Sequence, residues 1–187
     1  MTHQLNFIYN DSDWIAPAEY PDLSKATEIA IDLETKDPNI KTKGPGWATF
    51  DGHIVGFAVA ALGQQWYFPI AHDAGGNMDL SITCAWMQDI LKTDATKIFH
   101  NASYDVGWLL VNGFEIRGKI VDTMIAAAII NENRFSFSLN ACAKDYLGEI
   151  KNETFLNEKA KEWGIDPKAD MWKLPAGYVG FYAEQDA

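Results

Sequence analysis

From Ala26 to Thr35 apolar and polar positions alternate. Ile29, Ile31 and Leu33 fall on one face of an extended chain, and Ala30, Asp32 and Glu34 on the other. Side chains in a β-strand alternate with period two, so the stretch predicts a strand whose second face ends in acids. His53 to Leu62 and Gln65 to Ala71 read as a second and third strand, with a hairpin turn at Leu62-Gly63-Gln64. The period then changes. Met78 to Lys92 places Ile82, Trp86, Ile90 and Leu91 near one helical stripe. Lys97 to His100 is a short strand, Ser103 to Asn112 a helix stopped by Gly113, and Lys119 to Val121 another short strand. Asp122 reads as the cap of an apolar helix, Thr123 to Asn131. Further helices span Ser138 to Leu147 and Asn152 to Trp163, ended by Gly148 and Gly164. A last helix starts near Gly177, after Pro175, and is still running at Ala187.

Three strands, then strands separated by helices, predict an α/β fold with a mixed five-stranded sheet flanked by helices. The first three strands form an antiparallel meander and the later two arrive through helical crossovers. Residues 1–25, with Pro17 and Pro21, read as an N-terminal arm holding a short strand or extended segment, and 26–187 as one domain. Lys36 to Gly52 holds Pro38, Gly44, Pro45 and Gly46 and reads as a long loop, a feature often tied to function in compact domains.

Composition adds boundaries. With 187 residues and 48% hydrophobic positions the chain is globular in character. It has no apolar run of membrane-spanning length, and no basic segment leads into an apolar core at the N-terminus, so neither a membrane anchor nor a signal peptide is expected. Cys84 and Cys142 have no metal-like spacing and read as buried thiols of a reducing compartment. The formal charge of −11 argues against tight, salt-sensitive duplex binding by this chain alone. It fits either a plain acidic surface or acids concentrated where divalent metal must precede phosphate.

Three acidic signals stand out. Asp32-Leu33-Glu34 puts two carboxylates on one strand face, where they repel unless protonated or holding a cation. A strand fraying into solvent explains the same letters. His100 to Asp105 joins a strand end to a helix start, and Asp105 falls in the first helical turn. The helix dipole alone would favour an acid there, but strand-to-helix junctions are also where α/β folds hold ligands. Tyr182 and Asp186 are four residues apart on the last helix and share a face; Glu184 points elsewhere, into solvent. An amphipathic helix with a core Tyr and a rim Asp would look alike.

Taken in order, D-x-E, N-x-x-x-D and Y-x-x-x-D resemble the three motifs of the DEDD exonucleases, in the tyrosine-bearing branch. Val121-Asp122-Thr123-Met124, Ser138-Leu139 and the final Tyr-Ala-x-x-Asp-Ala are similar to the proofreading exonuclease domain of family A DNA polymerases, phage or bacterial. The resemblance implies an RNase H-like fold and a 3′-5′ exonuclease with two divalent ions, Mg²⁺ or Mn²⁺. It implies that Asp32 bridges both ions, that Glu34 and Asp186 complete the first site, and that Asp105 serves the second. Tyr182 would orient the attacking water. Thr35, Asn101 and Tyr104 would contact the 3′ end of a single DNA strand, with Pro38 or Ile40 wedged against the last base, although ordinary loop packing is the favoured reading of those two. Asp37 and Asp122 have a loop and a cap as sufficient roles, and His100 reads as structural.

The implied setting is the cytoplasm of a bacterial or phage-infected cell, beside a linked or separate polymerase domain. Two alternatives stay open: a stand-alone enzyme similar to RNase D or the Werner-type exonuclease, acting on RNA or in repair, and an inactive nucleic-acid-binding scaffold. Asp186 is the penultimate residue, in a turn expected to fray, which predicts that the sequence is the N-terminal part of a longer protein.

Overall fold

Strand β1 (Glu28–Lys36) follows the alternation closely: Ile29, Ile31 and Leu33 are buried, while Ala30 and Asp32 keep some exposure. The computed structural model describes residues 12–187. The expected N-terminal arm therefore lies outside the described residues as far as Asp11; from Ser12 to Lys25 the chain forms no strand.

β1 pairs antiparallel with β2 (His53–Ala61), and β2 with β3 (Gln64–Pro69). The turn between β2 and β3 is Leu62-Gly63, with φ of 54° and 74°. Positive φ at both positions matches the twist of the flanking strands. β4 (Thr96–Phe99) pairs parallel with β1, and β5 (Ile120–Asp122) parallel with β4. The sheet order is β3-β2-β1-β4-β5, the mixed five-stranded arrangement expected.

The Lys36 to Gly52 stretch is not one open loop. It contains two single-turn helices, α1 (Ile40–Lys43) and α2 (Gly46–Thr49). The buried Asp37 organises them: its Oδ2 accepts from Gly46 N at 2.8 Å and from the Tyr104 hydroxyl at 2.9 Å. Proline and glycine content concealed the turns, because such residues also start and stop short helices.

Each face of the sheet has its own core. Ile29, Ile31, Leu33, Phe57, Val59 and Phe68 pack with α3 (Leu80–Leu91) and α4 (Ala102–Val111). In α3 the buried positions are Thr83, Met87, Ile90 and Leu91; Ile82, expected on that stripe, is turned outward at 57% exposure. Ala58 and Tyr67 pack on the opposite face with α7 (Thr154–Trp163) and α8 (Ala176–Glu184). Gly180 of α8 lies under the Trp14 indole, so close that a Cβ would fall 2.0 Å from it. The remaining helices are α5 (Thr123–Ile130), α6 (Leu139–Leu147) and a 3₁₀ turn at Met171–Lys173. Asp122 caps α5 and Ser138 caps α6, as expected; Gly148 and Gly164 end α6 and α7 in the left-handed conformation.

Helix α8 is not continuous to the end of the sequence. It stops at Glu184, and Asp186 N bonds to Ala183 O in a tighter turn. Among the described residues no helix is long and apolar enough to cross a membrane. Cys84 and Cys142 are free thiols, the first half-buried and the second buried.

Candidate active site

Asp32 and Glu34 leave β1 on the face that meets α8. Their partners across the sheet are Ala58 and Gly56, and Gly56 lies against the Tyr67 ring, where a Cβ would fall 2.3 Å from the hydroxyl. A bulge follows at once: Glu34 pairs with Gly56 and Thr35 with Ile54, so Val55 is skipped and the strand is bent where the acids sit. Asp186, in the turn after α8, completes a cluster in which ligand atoms of Asp32, Glu34 and Asp186 lie within 4.8 Å of one another.

Like charges so close, removed from water, disfavour ionisation. Burial first, and then Asp186, pushes the Asp32 carboxyl up to about 7. Burial and then Asp32 and Asp186 push Glu34 well above the usual carboxylate range. Asp186 is also raised by burial, against the opposing pull of Lys151. Glu34 Oε1 and Asp186 Oδ1 are buried and accept no hydrogen bond. Buried acceptors are almost always satisfied, so the unpartnered Glu34 oxygen within a cluster of three carboxylates marks a place fit for a cation. Hard oxygen donors suit Mg²⁺ or Mn²⁺.

Asp105 comes from the first turn of α4 and is buried. It is not one of the three acids that converge. Its Oδ1 accepts from Leu33 N at 3.2 Å, and burial together with Asp32 raises its pKa to about 8. Tyr182 is buried on α8; its hydroxyl is raised far out of the physiological range by burial and by the charges of Glu34 and Asp186. It therefore keeps its proton.

The expected substrate contacts are partly engaged with each other. Tyr104 donates to Asp37, so the 2.8 Å contact between Thr35 Oγ1 and the Tyr104 hydroxyl has Thr35 as donor. Burial raises the Tyr104 hydroxyl to about 12. Asn101 sits in the left-handed region with φ of 69°, held by Asp122, whose oxygens accept from Asn101 N and Ala102 N. Asp122 is thus more than the cap of α5: it also fixes the junction that leads to Asp105. Pro38 and Ile40 are exposed. His100 contacts Thr123 Oγ1 and Phe137 O, both at 2.9 Å, in keeping with a structural role.

Two side chains were not foreseen. Glu184 does not point into solvent: its Oε1 accepts from the Trp14 indole at 2.9 Å and from Tyr67 N at 3.3 Å. Lys151, from the connection 148–153, forms a buried ion pair with Asp186 and lies 3.4 Å from the Tyr182 ring centroid. Nothing local distinguishes it from a solvated loop lysine. A cavity of about 230 Å³ opens over the site, lined by Asp32, Asp186, Tyr182, Lys151, Ser138 and Asn140 among others.

The family model for 3′-5′ exonucleases matches residues 18–187. A DNA-directed DNA polymerase of Pseudomonas phage M6 is 37% identical over 96% of this chain and 28% of its own length. The DNA polymerase DpoZ of Salmonella phage PMBT28 is 30% identical over 91% of this chain and 26% of its own. The chain thus spans little more than a quarter of those relatives. Among solved structures, the catalytic core of RRP6 from Trypanosoma brucei superposes with a TM-score of 0.60 at 21% identity, over 88% of this chain and 38% of that one. That likeness shows the RNase H-like fold.

Proposed function

Since the chain belongs to the 3′-5′ exonuclease family of the DNA polymerase A type, we propose that it removes nucleotides from the 3′ end of single-stranded DNA, as the proofreading unit of a DNA polymerase, linked or separate. The observation that carries this reading is the convergence of Asp32, Glu34 and Asp186, with a buried Glu34 oxygen that accepts no hydrogen bond, beside Tyr182. Those three acids would hold one divalent ion, and Asp32 with Asp105 would serve a second. When bound, such ions acidify the attacking water and neutralise charge on the attacking and leaving oxygens of the phosphodiester.

The chain's own groups do the rest. Tyr182 keeps its proton near neutrality, so it donates a hydrogen bond that fixes a water and does not act as a base. Asp105, tied to the backbone between Asp32 and Glu34, keeps the helix and strand contributions in register. The Thr35 and Tyr104 hydroxyls, coupled to Asp37, form the rim on which the terminal nucleotide rests, and Asn101 flanks it.

Digestion of 5′-labelled single-stranded DNA and RNA of one sequence, with Mg²⁺ and with EDTA, tests the proposal. The expected result is stepwise shortening of DNA from its 3′ end, release of 5′-monophosphates, and no cleavage with EDTA or with Asp32→Ala. Full activity of Asp32→Ala, or cutting of circular single strands, would overturn it. Preference for RNA would move the substrate assignment to the RNase D-like alternative.

A further inference from the structure

Lys151 occupies an unusual place for a lysine on an irregular connection. Its side chain is 8% exposed and that of Asp186 is 10% exposed. Exposed ion pairs are worth little, but a buried charge must be matched by another. Oδ2 of Asp186 accepts the Lys151 hydrogen bond, while Oδ1 is in ionic contact but accepts none. The ammonium also caps the Tyr182 ring, a favourable seat for a cation. Its charge reaches Asp32 and Glu34 as well. Next to it, Asn152 N donates to Gln185 Oε1 at 3.1 Å, so the connection 148–153 is laced to the turn that carries Asp186.

We propose that Lys151 is a resident counter-cation of the carboxylate cluster, a positioning residue that holds Asp186 and Tyr182 before metal binds and is displaced as a divalent ion takes its place. The inference rests on the metal-dependent reading of the site given above. A divalent ion held by Asp32, Glu34 and Asp186 and an ammonium on the same Asp186 carboxylate would repel strongly in so dry a pocket. The lysine gives way because it stands on an irregular segment between two helices, whereas Asp32 and Glu34 lie within a paired strand. Exchange of one cation for the other keeps the acids from facing each other uncompensated at any stage. It also links metal binding to the 148–153 connection at the cavity's edge.

The test uses the whole chain. Mn²⁺ binding is measured by calorimetry for the wild-type protein, Lys151→Met, Lys151→Arg and Asp32→Asn. In parallel, the reactivity of Lys151 toward an amine-acylating reagent is followed by peptide mass spectrometry with and without saturating Mn²⁺. Lys151→Met is expected to bind Mn²⁺ roughly tenfold more tightly, because one repelling charge is gone. Lys151→Arg, which keeps the charge, is expected to stay close to wild type. In the wild-type protein the amine is expected to be protected without metal and to react several-fold faster with it. Unchanged or weaker Mn²⁺ binding in a folded Lys151→Met, or a lysine equally protected in both states, would overturn the inference while leaving the metal site intact. Absence of any Mn²⁺ binding that depends on Asp32 would instead overturn the metal-dependent reading, and this inference with it.

Discussion

The backbone N–H of Leu33 donates to Oδ1 of Asp105 across 3.2 Å. Leu33 lies between the two acids of β1, at a point where β4 no longer covers that edge, since the ladder with β4 reaches only Ala30. Asp105 thus has a structural duty besides any role toward metal. The two separate by substitution. Asp105→Asn keeps an acceptor for Leu33 and removes the charge; Asp105→Ala removes both. Asp105→Ala is expected to lose about 1–3 kcal/mol, the cost of a buried unpaired donor, and Asp105→Asn much less. Both should lose nuclease activity. Urea melts and end-labelled DNA digestion check this, and equal destabilisation by the two changes would show that the Leu33 contact is not what holds the junction.

Tyr182→Phe is expected to retain Mn²⁺ binding and a reduced rate, on the order of 10–100-fold down, since the lost hydroxyl orients water and hydrogen-bonds Asp186 but is not itself a ligand. Asp186→Ala should lose far more, because it removes a ligand and leaves Lys151 without its partner. Single-turnover digestion of both variants distinguishes the roles. Complete loss in Tyr182→Phe would assign the hydroxyl to proton transfer or ligation.

What could be read from the sequence was local. The alternation that set Asp32 and Glu34 on one face of β1, the caps at Asp122 and Ser138 and the glycine stops at Gly148 and Gly164 all depend on neighbours a few residues away. What escaped depends on distant ones. Glu184 looked solvated because its own helix offers it nothing; its partners are Trp14 and Tyr67, brought by the N-terminal segment and β3. Lys151 carries no periodic signal, and its burial is set by Asp186, 35 residues away. Asp122 was legible as a cap, but its bonds to Asn101 and Ala102 arise only because β5 lies beside β4.

That double attachment makes Asp122 a test of how the junction is held. Asp122→Ala removes acceptors for four backbone N–H groups, those of Asn101, Ala102, Met124 and Ile125. A lost cap alone costs about 1 kcal/mol, so a destabilisation of about 2 kcal/mol or more is expected. Activity should fall but not vanish. A thermal melt unchanged from wild type would mean that water or Asn101 itself replaces the acceptor.

In the metal-free protein Asp32 is pushed up to about 7 and Asp105 to about 8, each mainly by burial, from an ordinary value of 3.8. The folded state therefore holds protons that the unfolded chain has already released. Where the folded state binds more protons, stability falls as pH rises. This contribution is complete below about pH 4 and is lost as pH climbs through about 7 and 8. Divalent metal reverses the preference, because ligands must be deprotonated to bind it. The melting temperature with EDTA should accordingly decline between pH 5 and pH 9 (taken roughly). The rise in melting temperature on adding Mg²⁺ should be larger at the alkaline end than at the acidic end. Asp32→Asn removes one of these titrations and should flatten the metal-free decline while abolishing most of the Mg²⁺ effect. Scanning calorimetry across that range checks all three expectations. A metal-free protein that grows more stable toward alkaline pH would show that these carboxylates are already ionised and compensated by groups other than a divalent ion.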